Sequence, residues 1–198
     1  TAGLLTFQGN DISRLTPRDL INLGLGRVPE DRHAEGVVGE LAVWENAVLE
    51  RLRDPAFSRR GFVRRAAARA HAADLIARFD IRGATPETRT RLLSGGNMQK
   101  LILGRNLAAA PRFLLANQPT RGLDEGAIAA VHAELLSARA AGAAILLISE
   151  DLEEASALSD RIQAIVKGRL SQPIPSEAAD ARTLGLMMAG VWGAQDAV

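Results

Sequence analysis

The strongest constraint in this chain is an alternation of short apolar runs and helical segments in its second half. Phe113–Ala116 is continuously apolar, Gly126–Ala141 has helical patterning, and Ala143–Ser149 is apolar again. Leu152–Ser159 is helical, and Arg161–Val166 is a strand candidate that turns at Lys167-Gly168. Short continuous apolar runs read as strands covered on both faces, and strands that alternate with helices need crossover connections. The pattern predicts an α/β domain with a parallel sheet.

The first half reads differently. Residues 3–9 read as a short strand ending in a turn, and Thr16-Pro17 opens a helix through Ile21, with Thr16 as cap and Pro17 in the first helical position. Gly24 and Gly26 close that helix, Leu25–Pro29 is a brief apolar segment, and Glu30–Gly36 is a polar loop. From Val43 to about Phe79 the pattern is helical, broken once at Asp54-Pro55. The block 43–110 is expected to contain no strand and reads as a helical subdomain inserted into the sheet. Residues 83–91 are a polar loop, Ser94-Gly95-Gly96 leads into a helix over Asn97–Ala109, and the tail from Ser171 is weakly ordered until Leu184–Val191.

Composition narrows the function classes. With 198 residues, 47% of them hydrophobic, there is enough apolar material for a core. The absence of cysteine excludes a disulfide scaffold, a thiolate zinc site and a cysteine nucleophile. A net charge of +1 gives no bulk drive toward nucleic acid or anionic lipid. The cluster Arg59, Arg60, Arg64, Arg65 and Arg69 therefore reads as a solvated helical face. His33, His71 and His132 share no metal-ligand spacing, Trp44 reads as packing, and Asp151, Glu153 and Glu154 read as acids of a first helical turn. No apolar run approaches the roughly 20 residues that span a bilayer. Only two of the 24 basic residues are lysines, which matters for phosphate binding. A phosphate-binding loop of the form G-x-x-x-x-G-K-[ST] needs a lysine after glycine, whereas Lys100 follows Gln99 and Lys167 follows Val166.

The most specific stretch is Leu93-Ser94-Gly95-Gly96-Asn97-Met98-Gln99-Lys100. A serine and two glycines at a helix start present unpaired backbone N–H groups and the positive end of the helix dipole, which suits an anion. The stretch closely resembles the signature motif of ATP-binding cassette (ABC) ATPases. Phe113-Leu114-Leu115-Ala116-Asn117-Gln118, followed by Gly122-Leu123-Asp124, resembles the Walker B strand and D-loop of that family, in the right order. Ile148-Ser149-Glu150-Asp151 falls where the switch-histidine loop belongs, and Val28-Pro29-Glu30-Asp31-Arg32 resembles the Q-loop segment. Leu184–Gly190 resembles the ending of the nucleoside-importer subgroup. The resemblance covers almost the whole chain and is to the second, C-terminal nucleotide-binding domain of a fused tandem importer subunit.

This resemblance implies a RecA-like P-loop NTPase fold with an inserted helical subdomain, truncated before its Walker A loop, which would lie upstream of Thr1. It divides the chain into a remnant of the N-terminal lobe (1–38), the helical subdomain ending in the signature motif (39–97), a RecA-like core (98–170) and a tail (171–198). ATP-binding residues carried over are Ser94, Gly95, Gly96, Asn97 and Asp124. Four positions depart from the active pattern. Asn117 stands where Mg²⁺ is held, Gln118 at the catalytic glutamate, Glu30 at the Q-loop glutamine and Glu150 at the switch histidine. Loss of a general base alone costs roughly 10²–10⁴ in rate. The implied cofactors are ATP and Mg²⁺ in the intact tandem subunit, with no tight binding to this chain alone.

The implied role is ATP-driven uptake of a simple sugar, nucleoside or related solute. This half would donate its signature motif to the site of its sister domain while its own site is degenerate. The implied partners are that sister domain, membrane-embedded permease subunits and, indirectly, a solute-binding protein. Nucleic acid is not expected, and a homodimer of this chain is an open expectation. The expected location is the cytoplasmic face of the inner membrane, with the isolated chain soluble and inactive. The alternatives are a catalytically silent assembly module and an ABC protein of DNA repair or translation.

Overall fold

The computed structural model describes residues 3–192 and divides them into two units, one up to Leu146 and one from Leu147. In the first unit, β1 (Thr6–Phe7) turns through Gln8 and Gly9, both at positive φ, into β2 (Asn10–Asp11). Helix α1 (Pro17–Asn22) starts as expected: Thr16 accepts from the Asp19 amide, and Asp19 accepts from the Thr16 amide in return. The apolar segment after Gly24 is a strand, β3 (Leu25–Val28), which pairs in parallel with β6 (Phe113–Asn117). Strand β7 (Ala144–Ile148) completes a three-stranded sheet in the order β3-β6-β7.

Between β3 and β6 lies the helical block, with α2 (Val43–Val48), α3 (Arg65–Arg78) and α4 (Gly95–Leu107). It is not strand-free. β4 (Ser58–Arg59) and β5 (Phe62–Val63) form an antiparallel hairpin around Arg60 and Gly61, whose positive φ angles make the tight reversal. That hairpin divides the arginine cluster. Arg59 and Arg60 sit on it, whereas Arg69 lies on α3, stacked 5.1 Å from the Trp44 ring centroid and ion-paired with Glu87. The segment expected to be a polar loop contains a π-helical turn over Arg32–Gly36, started by the Asp31 carboxylate, which accepts from the amides of His33 and Ala34. Those two bonds hold the Asp31 carboxyl below its ordinary pKa.

The core of this unit is organised by α4. Met98, Leu101, Ile102 and Leu103 are buried on it, with Val28 of β3 and Leu114 of β6 also shielded from water. At ~1.5–3 kcal/mol for each large apolar side chain removed from water, these residues carry much of the folding energy. Two buried polar groups tie the helices together. Asn46 of α2 donates to Thr90 at 2.8 Å and accepts from the Val38 amide. Arg105 of α4 donates to the carbonyls of Asn46 and Gly36 and pairs with Glu50 at 2.9 Å. After β6, helix α5 (Glu125–Ala140) returns the chain to β7. The expectation that β7 is buried on both faces fails: Leu146 and Ile148 are 51% and 44% exposed. Ala144, Leu146 and Ile148 alternate along β7, so they share one face, and that face is exposed among the described residues.

The second unit begins within β7 and holds α6 (Leu152–Leu158), whose Asp151 cap accepts from the amides of Glu153 and Glu154. The expected strand Arg161–Val166 is two short ones, β8 (Arg161–Ile162) and β9 (Ile165–Val166). Neither joins the three-stranded sheet. Lys167 and Gly168, both at positive φ, send β9 back antiparallel into β10 (Arg169–Leu170), and β11 (Ile174–Pro175) pairs with β8. The tail is ordered earlier than expected. Ser171 is buried, and its hydroxyl accepts from the Ala164 amide at 3.0 Å. Helix α7 (Ala181–Met188) then places Leu184 and Met187 against Ile162 and Ala179.

Candidate functional site

The glycine-rich stretch builds the first turn of α4. Ser94 is its cap, in extended conformation, and the helix begins at Gly95, two residues earlier than the sequence pattern suggested. The Ser94 hydroxyl oxygen accepts from the Asn97 amide at 3.4 Å and from the Asn97 side-chain nitrogen at 2.9 Å. A hydroxyl has two acceptor positions and one proton, so Asn97 takes the acceptors and leaves the proton for a further group. The Asn97 side chain is itself oriented: its carbonyl oxygen accepts from the Arg82 amide at 2.9 Å. The first-turn N–H groups of a helix have no intrahelical acceptor, so Gly95 and Gly96 add donors beside that hydroxyl. The arrangement is a donor cluster suited to a phosphate-like oxyanion.

The loop after β6 packs against this helix start. Gln99, buried on α4, donates to the Pro119 carbonyl at 2.7 Å. Asp124 caps α5 by accepting from the Ala127 amide at 2.9 Å. A Cβ on Gly96 would sit 3.1 Å from the Ala127 methyl, so helices α4 and α5 approach at a point where only glycine fits without displacement. Ser94, Gly95, Gly96, Asn97 and Asp124 thus belong to one region of the first unit.

The other sequence-predicted residues have a different chemistry. Asn117 ends β6 and is half-buried. Gln118 follows at φ +49°, in the left-handed region that non-glycine residues adopt rarely. Both are neutral amides. Glu30 is ion-paired with Arg121. Glu150 lies in the second unit, before α6. Among the described residues no group of three or more His, Asp or Glu side chains could hold a metal ion. Three residues of the site escaped sequence reasoning as partners: Arg32, Gln99 and Arg121. Their contacts span 20 to 91 positions of chain, which local pattern does not encode.

The same backbone arrangement occurs in solved structures. The cassette MJ0796, in a dimeric post-hydrolysis state bound to ADP and Pi, superposes with a TM-score of 0.72 over 89% of this chain and 74% of that one, at 20% identity. The chain has the ATP-binding cassette fold. No protein-family model matches it. The cassette is 41% identical over 189 residues to the guanosine import ATP-binding protein NupO of Bacillus subtilis, covering 96% of this chain and 37% of that protein. It is also 41% identical over 192 residues to the glucose import ATP-binding protein TsgD13 of Haloferax volcanii, covering 96% of this chain and 35% of the relative. The chain therefore spans just over a third of the length of the curated relatives it matches. Among the described residues no helix of the cassette is long and apolar enough to cross a membrane.

Proposed function

We propose that this cassette is the second nucleotide-binding domain of a tandem importer subunit and serves its sister domain's ATP site rather than its own. Its residues 39–97 would be the helical subdomain and 98–170 the RecA-like core, with the N-terminal lobe remnant and the tail on either side. The observation that carries the reading is the contrast between an intact donor cluster at Ser94–Asn97 and neutral amides at Asn117-Gln118. ATP would be held mainly by the sister domain's own phosphate loop, with its terminal phosphate presented to this cassette. Ser94 then donates its hydroxyl proton to a phosphate oxygen, and the amides of Gly95 and Gly96 add the dipole end of α4. Asp124 fixes where α5 starts, and hence where the loop before it meets the partner.

This cassette's own nucleotide position does not fit Mg²⁺ chemistry. Mg²⁺ prefers anionic oxygen ligands, and an amide side chain at Asn117 supplies no charge. Gln118 cannot accept a proton from water, and Glu30 is occupied by Arg121. No hydrolytic step is assigned there. The solute would be a nucleoside or sugar, as for the guanosine and glucose import relatives, and the partners would be permease subunits and, through them, a solute-binding protein. The subunit would sit on the cytoplasmic face of the membrane.

The test is Gly96→Asp in the full-length subunit. A carboxylate among the phosphate donors, with a Cβ against Ala127, is expected to abolish ATP turnover and uptake. Undiminished turnover in a folded variant would show that this motif serves no site.

A further inference from the structure

We propose that Arg32 is a positioning residue: its guanidinium clasps the loop 119–124 to the N-terminus of α4 and so fixes the spacing between Ser94 and Asp124. Three observations meet at this side chain. Its Nη1 donates to the Arg121 carbonyl at 2.8 Å, a contact across 89 positions of chain. Its planar head lies against Gly95, where the absent side chain leaves the space it fills, and beside Gly122. A Cβ on Gly95 would be 3.0 Å from Nη2 and 3.4 Å from Nε and Cζ, and one on Gly122 would be 3.6 Å from the same Nη2. Its Nε is shut off from solvent with no hydrogen-bond partner among the described residues.

An unsatisfied buried N–H is unfavourable, so this placement persists because the rest of the contact over-determines it. Two residues earlier, Glu30 pairs with the Arg121 side chain. The segment 30–32 therefore grips Arg121 at two points, its guanidinium through Glu30 and its carbonyl through Arg32. Gln99 holds the same loop one residue pair earlier, at Pro119. Lysine cannot reproduce this geometry, because its single ammonium lacks the flat fork that lies against Gly95. Gly95 leaves room for the guanidinium, whereas Gly122, at φ +67°, supplies the left-handed turn of the loop beside it.

The clasp itself is read in this chain and does not depend on any catalytic assignment. Its effect on turnover rests on the composite-site reading above, so the experiment has two arms. In the first, amide exchange is followed in the chain and its Arg32→Ala variant. The Arg121 and Leu123 amides, bonded to the Gln118 and Thr120 carbonyls, are expected to exchange about tenfold faster, while Ile102 and Leu103 inside α4 keep their rates. Unchanged exchange at Arg121 and Leu123 would overturn the clasp, and so would uniform acceleration across α4, which marks general loosening. In the second, ATP turnover of the full-length subunit is measured. Arg32→Ala is expected to lower kcat about tenfold with KM for ATP within twofold, because the nucleotide is held by the sister domain. Arg32→Lys should recover less than half of the loss. A loosened loop with unchanged kcat would leave the clasp standing and count against the composite site; a rise in KM alone would overturn the positioning role.

Discussion

Two ends of one cassette, 20-odd residues apart in sequence, have been built to different standards. At Ser94–Asn97, every polar group has a defined partner or a defined direction: the serine oxygen is saturated by Asn97, Asn97 is held by the Arg82 amide, and the loop beyond is tied by Gln99. At Asn117-Gln118 the strand ends and a left-handed residue follows, and the side chains carry no charge. The difference separates two requirements usually met together. Presenting a helix N-terminus needs glycines, a cap and packing. Holding a metal and activating water needs carboxylates. In this chain glycines, a cap and packing meet at Ser94–Asn97, and neutral amides stand at Asn117-Gln118.

That comparison is best broken at Ser94. Ser94→Ala removes one hydroxyl donor to a charged oxygen, a bond of about 1.5–3 kcal/mol, so turnover of the full-length subunit should fall about 10- to 100-fold. An effect under twofold would put both ends on an equal, inactive footing. Asn97→Ala sharpens it. The alanine leaves Ser94 in place but unorients its proton, at a cost of about 1 kcal/mol, so turnover should drop about fivefold with the subunit's thermal stability little changed. The smallest effect belongs to the other end. Restoring a carboxylate with Gln118→Glu should change turnover by less than twofold, since Asn117 still offers no charge for a metal. A tenfold gain in that assay would mean that this cassette's own site needs only one residue to work.

What the sequence disclosed follows the range of the interactions. The cap at Thr16 is legible because a cap is a bond between residues three apart, whereas the capping roles of Ser94 and Asp124 came from the structure. The α/β class was legible too, from apolar runs at Phe113 and Ala143. The hairpin at Arg60-Gly61 was hidden inside an arginine-rich stretch whose composition favours helix on either side. Strand β3 is only four residues long and contains a glycine, so its identity comes from its partner β6, not from its own pattern. The exposure of Leu146 and Ile148 depends on what packs on one face of β7, which no local run reports. Similarly, the order of the tail comes from contacts back to 161–164: the Ser171 hydroxyl at Ala164, β11 on β8, and Leu184 and Met187 on Ile162. At the site, the motif glycines were found from their spacing, while the arginine packed against Gly95 was not.

The buried Arg105 gives α4 a mechanical character. Its guanidinium is held by two carbonyls and a carboxylate at the far end of the helix from Ser94. Eleven residues of α-helix separate them, about 16 Å at 1.5 Å per residue. Gln99 and Arg32 tie the opposite end to loop 119–124, so α4 is a strut fixed at both ends; a tilt of about 5° about Arg105 would sweep the Ser94 hydroxyl through ~1.4 Å and is resisted there. A misplacement of that size is worth about a hundredfold in rate where alignment controls chemistry. Anchors at both ends therefore hold the Ser94 hydroxyl to a tolerance that a single pivot at Arg105 would not give.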